Sequence, residues 1–212
     1  CDADVVGSDS LRYDVEMISI IDEVLSELGL KDFTIKINNR KILAGIAEVM
    51  GIEDQLTDFT VAIDKLDKIG EEGVLKELNE KEIGEKALSM TKELFSLEGE
   101  KNILSLLSEW FKNSEVGRKG LEEVQYVLDG AAKAEINTAE VKLDVTLARG
   151  LNYYTGSIYE VLSNEVKMGS IVGGGRYDDL TGVFGLQGVS GIGISFGAER
   201  IYDVLSSLER FP

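Results

Sequence analysis

Apolar and polar residues repeat along the chain with two different periods. Residues 2–7 predict a short strand, and from Ser10 to Gly29 an apolar side chain recurs every third or fourth position, as in a helix with one buried face. Residues 33–37 alternate between apolar and polar, which predicts a half-buried strand, and residues 40–50 return to the helical spacing. The opening segment therefore predicts strand, helix, strand, helix.

The helical spacing then continues from about Glu53 to Glu135, where we expect five or six helices. After Asn137 the alternating pattern returns in four short runs before a last helix that begins near Ala198. The four predicted strands lie at about 141–145, 157–161, 170–173 and 191–195.

This order of elements predicts an α+β fold, in which helices flank an antiparallel sheet and an all-helical segment is inserted between its strands. We expect three segments: a core part at 1–52, a helical insertion at 53–137, and a second core part at 138–212.

Composition sets limits on the function. The chain has 212 residues, enough for a sizeable core in one or two domains. It has one cysteine and no histidine, so an intramolecular disulfide, a histidine-based nucleophile and a histidine-ligated metal site are excluded, and we predict no metal site. No apolar run approaches the roughly 18 residues of a membrane span, so we expect a cytoplasmic protein with no membrane partner.

The formal net charge is −17, from 39 acidic and 22 basic residues. Nucleic-acid binding usually requires a basic surface, because contacts to phosphate dominate the affinity. Taken alone, the charge argues against RNA as a partner, unless the main RNA-binding surface is a local patch or belongs to another part of a longer protein.

Chemistry-bearing residues concentrate in the last third of the chain. Twelve of the 23 glycines lie between Gly150 and Gly197, a density that favours close approach of the backbone to a ligand, or bulged strands. Arg149 precedes Tyr153 and Tyr154 within Leu-Ala-Arg-Gly-Leu-Asn-Tyr-Tyr-Thr-Gly, which offers a guanidinium for a carboxylate or phosphate beside two aromatic faces. The alternative is an arginine in a surface ion pair and two half-buried strand tyrosines.

Two further stretches help to decide between a ligand site and these ordinary structural roles. These are Gly-Gly-Gly-Arg-Tyr-Asp at 173–178 and Gly-Ile-Ser-Phe-Gly-Ala-Glu-Arg at 193–200. Neither a Rossmann fingerprint nor a P-loop is present, so phosphate binding would use arginines. Together with the Arg149 stretch and Cys-Asp-Ala-Asp-Val-Val-Gly at 1–7, these motifs resemble the histidyl-tRNA synthetase family, a class II aminoacyl-tRNA synthetase.

The resemblance implies a role for each motif. Arg149 would be catalytic, bridging the carboxylate of histidine and the α-phosphate of ATP. Asp4, Tyr153, Tyr154 and Tyr177 would bind histidine with Arg149. The alternative for Asp4 is a solvated strand residue.

For the nucleotide, the resemblance implies that Arg200 covers ATP and that Mg²⁺ accompanies the ATP phosphates, without a prosthetic group. The alternative for Arg200 is a salt bridge at the end of a helix. Gly173, Gly174 and Gly175 would form the floor of the pocket.

The chain also departs from the family pattern. Asn152 stands where many members have aspartate, which we expect to tune the activity and not to abolish it. Motif 1, the upstream half of motif 2 and an anticodon-binding domain have no counterpart in this sequence. We therefore expect a partial catalytic domain that is inert by itself. The resemblance also implies that the parent protein is a homodimer.

Two functions compete. The resemblance implies a histidine–tRNA ligase, whose substrates are histidine, ATP and tRNA(His). The alternative is a non-catalytic relative of the synthetases, either a regulatory subunit of histidine biosynthesis or a domain that senses uncharged tRNA. The retained Arg149, Tyr153, Tyr154 and Arg200 favour the ligase.

Overall fold

The computed structural model describes residues 1–97, 99–100, 102–148 and 153–211. Its strands are β1 (Asp2–Val6), β2 (Phe33–Asn39), β3 (Ala139–Leu143), β4 (Ser157–Ser163), β5 (Val172–Tyr177) and β6 (Gly191–Phe196). Its α-helices are α1 (Arg12–Glu27), α2 (Arg40–Met50), α3 (Leu56–Ile63), α4 (Leu66–Glu80), α5 (Glu85–Ser96), α6 (Ile103–Trp110), α7 (Glu115–Lys133), α8 (Leu180–Val183) and α9 (Ala198–Ser207). Two short 3₁₀ helices lie at Glu53–Gln55 and Phe111–Asn113.

The six strands form one sheet in the order β1-β6-β5-β4-β2-β3. The β1–β6, β6–β5 and β5–β4 pairs are antiparallel, as predicted, whereas β2 and β3 pair in parallel. A parallel pair needs a long crossover, and the helical segment between β2 and β3 supplies one. The α+β class is therefore confirmed, with a sheet that is mixed where an antiparallel sheet was expected.

Antiparallel partners point to the same face of a sheet, and successive residues of a strand point to opposite faces. Asp4 is paired with Gly193, and Gly193 with Gly175, so these three share one face, which we call the pocket face. Ile192 is paired with Arg176 on the other face, which we call the helix face.

The helix face is covered by α1. Met17, Ile18, Ile21 and Leu25 on α1 are at most 1% exposed, and α1 contacts β6. The sheet contributes buried isoleucines to the same core, Ile192 and Ile194. Burial of these aliphatic groups fixes α1 against the strands that carry the pocket, at a gain of about 1.5–3 kcal/mol for each large side chain.

The ends of the first two helices show how local sequence sets the boundaries. The sequence predicted a helix from Ser10, but α1 begins at Arg12, and the Ser10 hydroxyl accepts only a 3.4 Å bond from the Arg12 amide. The second helix spans the predicted 40–50. Asn39 caps it by accepting a bond from the Lys41 amide, and Gly51 ends it with φ of 76°.

The strand before that helix is more buried than its alternating pattern indicated. Thr34 is 4% exposed and Asn38 is fully buried, so both faces of β2 are covered. The Thr34 hydroxyl bonds Asn164, and the Asn38 amide donates to the carbonyls of Val145 and Leu147. Thr34 and Asn38 are therefore polar because they form buried hydrogen bonds, and not because they face solvent.

The described residues form two compact units. The first comprises Cys1–Ile37, Glu123–Leu143 and the described part of Gly150–Pro212, and the second comprises Asn38–Glu122 and the described part of Asp144–Arg149. Between 53 and 135 the described residues hold helices and no strand. The division of the sequence into 1–52, 53–137 and 138–212 stays a prediction. Within the described ranges, no helix combines the length and the apolar character needed to cross a membrane.

Candidate functional site

Asp4 and Tyr177 meet across β6 on the pocket face. The Tyr177 hydroxyl donates a hydrogen bond to Oδ1 of Asp4. Two glycines of β6 make this approach possible: a Cβ on Gly193 would lie 1.9 Å from Asp4 Oδ1, and a Cβ on Gly191 would lie 2.3 Å from Cε2 of Tyr177. The two side chains thus occupy space that any other residue at 191 or 193 would fill.

Tyr153 and Tyr154 form an aromatic wall beside this pair. Their ring centroids lie 4.7 Å apart, and the Tyr153 ring is 6.4 Å from that of Tyr177 in an edge-to-face arrangement. The Tyr154 ring lies over Gly175, where a Cβ would come within 2.8 Å of its Cδ1. Four side chains predicted to bind histidine, those of Asp4, Tyr153, Tyr154 and Tyr177, are therefore neighbours in the structure.

The three consecutive glycines of β5 do not all face this pocket. Alternation places Gly173 and Gly175 on the pocket face and Gly174 on the helix face. A Cβ on Gly174 would lie 2.3 Å from the Gly193 carbonyl oxygen and 2.8 Å from Ile194 Cα, so this glycine allows the strands to pack closely. Gly173 has open space above it, with the Tyr159 carbonyl oxygen 3.9 Å from the position of a Cβ.

Burial controls the ionisation of the two tyrosines that lie over glycines. It raises the pKa of Tyr154 above its ordinary value, and a hydrogen bond with Tyr153 adds to the effect. Burial also raises the pKa of Tyr177, as does its bond to Asp4. Both side chains are therefore neutral hydroxyls at neutral pH, next to an acidic side chain. A small planar ligand with an N–H donor and a ring suits such a pocket.

Arg200 lies in a separate cleft at the other end of β5 and β6. The cleft has a volume of about 490 Å³ and is lined by Ser170, Gly173, Ser195 and Glu199 as well as Arg200. Arg200 is exposed in the first turn of α9, and its Nη1 donates a 2.6 Å bond to the Ser170 carbonyl. Its guanidinium is thus held at the rim of an open polar cleft.

Arg149, predicted to be catalytic, and Asn152 lie outside the described residues. The structure therefore gives neither a position nor a contact for the predicted bridge between carboxylate and phosphate.

Sequence reasoning assigned no role to the charged residues beneath the pocket. Arg176 is 3% exposed and pairs with Asp14, which is fully buried. Burial alone would lower the pKa of Arg176, but hydrogen bonding to Asp14 and the charge of Asp14 outweigh it, and the pKa is raised. A second charged residue without an assigned role is Glu160, which is buried but lies on the pocket face, because its partner in the antiparallel pair is Gly173. Alternation along β5 could have indicated that Arg176 faces away from Tyr177, but nothing local identifies Asp14 as its partner.

Comparisons with known protein sequences match almost the whole chain to one family. The family model described as "Histidyl-tRNA synthetase" matches residues 3–201. The chain is 58% identical over 214 residues to a histidine–tRNA ligase of Christiangramia forsetii, an alignment that covers 100% of this chain and 47% of the relative. The chain therefore spans about half the length of this curated relative.

Comparison with solved structures gives the same family. The crystal structure of histidyl-tRNA synthetase from Nostoc sp. PCC 7120 superposes with a TM-score of 0.89 at 34% identity, covering 100% of this chain and 51% of that one. A structure from Bacillus halodurans C, titled as an ATP phosphoribosyltransferase regulatory subunit/histidyl-tRNA synthetase, has a TM-score of 0.79 at 21% identity. It covers 98% of this chain and 52% of that chain, and shows the fold alone.

The sequence matches and the fold together identify the chain as a member of an aminoacyl-tRNA synthetase family. The chain belongs to the histidyl-tRNA synthetase family.

Proposed function

We propose that this chain is part of the catalytic domain of a histidine–tRNA ligase. The observation that carries the proposal is the convergence of Asp4, Tyr177 and the Tyr153–Tyr154 wall over the glycines of the pocket face. The substrate that fits is histidine, because its imidazole offers both a flat ring for the tyrosines and an N–H donor for the Asp4 carboxylate.

In the proposed reaction an oxygen of the histidine carboxylate attacks the α-phosphorus of ATP. The new carboxylate–phosphate bond forms as the bond to pyrophosphate breaks, and a terminal hydroxyl of tRNA(His) then takes the histidyl group and releases AMP. The carboxylate is already a nucleophile, so the work of the protein is alignment and stabilisation of charge. We assign that electrostatic role to Arg149.

The nucleotide would extend towards the Arg200 cleft. Gly173 lies in that cleft and on the pocket face, so its bare backbone links the two regions. Mg²⁺ would neutralise part of the phosphate charge when ATP is bound. Among the described residues, no group of three or more His, Cys, Asp or Glu side chains lies close enough together to hold a metal ion.

The remaining partners follow from the same proposal. The parent protein would be a cytoplasmic homodimer that binds tRNA(His). The strongly negative charge of this chain, −17, indicates that the main RNA-binding surface lies elsewhere or in a local basic patch.

Calorimetry with L-histidine on the 212-residue chain tests the pocket. We expect binding that Asp4→Ala weakens by about ten-fold or more, since it removes a charged hydrogen-bond acceptor. The control is Asp2→Ala, which removes a carboxylate two residues away on the same strand and the same face. Equal affinity of wild type and Asp4→Ala would rule out this pocket as the histidine site.

A chimera tests the chemistry. The chain replaces the matching segment of the Christiangramia forsetii ligase, and histidine-dependent exchange of pyrophosphate into ATP is measured. We expect exchange that Arg149→Ala lowers by roughly a hundred-fold or more, because one donor aimed at transition-state charge contributes about 3–4 kcal/mol. A chimera that is folded and binds histidine but does not exchange would support the non-catalytic alternative.

A further inference from the structure

We propose that a hydrogen-bonded chain through Thr155, Asp178, Ser190 and Arg176 is a positioning device that holds the three segments of the histidine pocket in register. The proposal rests on the proposed function, because it assigns these residues a role in histidine affinity. None of the four is among the side chains that form the pocket wall.

The first step of this chain fixes the aromatic wall. Thr155 follows Tyr153 and Tyr154 directly, and its hydroxyl donates a 2.6 Å bond to Oδ2 of Asp178. The same hydroxyl accepts a 3.0 Å bond from the Asp178 amide, and the Thr155 amide donates 2.8 Å to the Arg176 carbonyl. Three bonds therefore fasten the residue after the tyrosine pair to the end of β5, on either side of Tyr177.

The second step links Asp178 to the buried arginine. The other carboxylate oxygen of Asp178, Oδ1, accepts a 2.5 Å bond from the Ser190 hydroxyl. The Ser190 hydroxyl in turn accepts a 2.9 Å bond from Nη1 of Arg176. Both oxygens of Asp178 are thus engaged, one towards the tyrosines and the other towards Arg176.

The third step reaches the segment that follows β1. Nη1 of Arg176 also donates 3.3 Å to the Ser8 carbonyl, and Nη2 donates 3.1 Å to the Ser10 carbonyl. The Ser190 carbonyl accepts a 2.8 Å bond from the amide of Gly7. These bonds fix the chain immediately after the strand that carries Asp4.

The consequence is that Asp4, the tyrosine pair and Tyr177 depend on one network for their relative positions. The network ends at Asp14 on α1, whose buried carboxylate accepts from Nε of Arg176 at 3.2 Å. Charge-assisted bonds of this kind are stronger and more directional than neutral ones, so the anchor is rigid. A pocket that depends on the mutual geometry of its walls loses affinity when one fastening is released.

The matched pair Thr155→Val and Thr155→Ser tests the first fastening. Valine keeps the shape of threonine but lacks the hydroxyl, whereas serine keeps the hydroxyl. For calorimetry on the 212-residue chain we expect Thr155→Val to raise the dissociation constant for histidine about ten-fold, and Thr155→Ser to stay within about two-fold of wild type. In the exchange assay of the chimera, the KM for histidine should rise in Thr155→Val while the KM for ATP stays within about two-fold.

Thr34→Val is the control, because it removes a buried hydroxyl of the same unit on β2, which β4 separates from β5. It should lower the urea midpoint without changing histidine affinity. If Thr155→Val does not fold, Ser190→Ala is measured by the same criterion, with a rise in the histidine dissociation constant expected.

The outcomes separate the two proposals. A wild-type chain that binds histidine, together with a folded Thr155→Val of equal affinity, overturns the positioning role and leaves the proposed function intact. A rise in Thr155→Val that Thr155→Ser shares also overturns it, because the hydroxyl is then irrelevant. A folded wild type that does not bind histidine overturns the proposed function and this inference together.

Discussion

The same three strands, β1, β6 and β5, carry two different chemistries on their two faces. On the helix face, Ile192 and Ile194 pack with α1, and the one buried charged group of β5, Arg176, is paired with Asp14. On the pocket face, glycines leave the sheet surface bare, and Asp4 and Tyr177 lie over them. Residues adjacent in sequence therefore serve opposite purposes, with Arg176 in the core and Tyr177 in the pocket.

The difference shows what a glycine contributes on each face. Gly174 on the helix face lets backbone approach backbone, so its role is packing. Gly193 on the pocket face makes room for the side chain of Asp4 on the neighbouring strand, so we assign it to the candidate site. If this comparison is right, changes on the helix face lower stability, and those in the Arg176 network lower ligand affinity as well. Changes on the pocket face lower ligand affinity with a smaller loss of stability.

The largest effect is expected for Arg176→Met, which leaves Asp14 buried without its cationic partner. Removing one member of a buried ion pair typically lowers the free energy of unfolding by about 3–5 kcal/mol. Urea unfolding followed by circular dichroism measures the loss. The double variant Arg176→Met/Asp14→Asn should recover part of it, because the buried charge is gone and the amide can still bond Tyr159. A loss below about 1 kcal/mol for Arg176→Met would contradict the comparison.

Gly174→Ala comes next. The new methyl group would lie 2.3 Å from the Gly193 carbonyl oxygen and 2.8 Å from Ile194 Cα, and backbone atoms cannot move aside cheaply. We expect a loss of about 1–3 kcal/mol in the free energy of unfolding. The control is Gly173→Ala, whose methyl would meet only the Tyr159 carbonyl at 3.9 Å and should change stability by less than about 0.5 kcal/mol. Equal losses in the free energy of unfolding for the two variants would show that the stability effect does not depend on which face of the sheet the glycine occupies.

Gly193→Ala should act on binding more than on stability. Its methyl would collide with the Asp4 carboxylate, 1.9 Å away, but that side chain is exposed and can rotate. We expect histidine affinity in calorimetry to fall about ten-fold, equivalent to about 1.4 kcal/mol, with a smaller loss of stability than in Gly174→Ala. A loss of stability equal to that of Gly174→Ala with unchanged affinity would reverse our assignment of the two glycines.

The smallest effect is expected for Tyr177→Phe at neutral pH, about 1 kcal/mol or less in the free energy of unfolding, because the lost bond to Asp4 is partly exposed. The pH dependence is more informative. The pKa of Tyr177 is raised in the folded state, so its protonated form stabilises the fold, fully so below the ordinary tyrosine value of about 10 and progressively less as the pH rises above it. The advantage of wild type over Tyr177→Phe should therefore shrink above about pH 10 in urea unfolding. A constant difference would show that Tyr177 is not shielded.

The elements that the sequence predicted best are those with local signals at both ends. Residues 40–50 form α2 as expected, because Asn39 and Gly51 supply the capping bond and the left-handed turn. Burial was harder to predict. The polar neighbours in the predicted strand at 33–37 indicated one solvated face, yet Thr34 is buried, and so is Asn38 at the end of β2. Their hydrogen-bond partners lie more than a hundred residues away in sequence, so no local pattern identifies them.

The candidate site also has one part that the sequence predicted and one part that it did not. The motifs pointed to Asp4, Tyr153, Tyr154 and Tyr177 because those residues resemble a family pattern, and the structure brings them together. The network beneath them could not be predicted. Its bonds join Thr155 to Asp178 and Arg176 to Asp14, across 23 and 162 residues, and no local pattern encodes such distances.

The pocket glycines also constrain how this sequence can diverge. Gly191 and Gly193 cannot be replaced without displacing a neighbour, because the side chains of Tyr177 and Asp4 fill the space that a Cβ at 191 or 193 would occupy. If the pocket is to keep its shape, each glycine and the residue above it must therefore change together: a methyl group at 191 is compatible with that shape only when position 177 becomes smaller. In an alignment of relatives, we expect these pairs of positions to covary. The substitution pattern alone would then show which residues are in contact in the pocket.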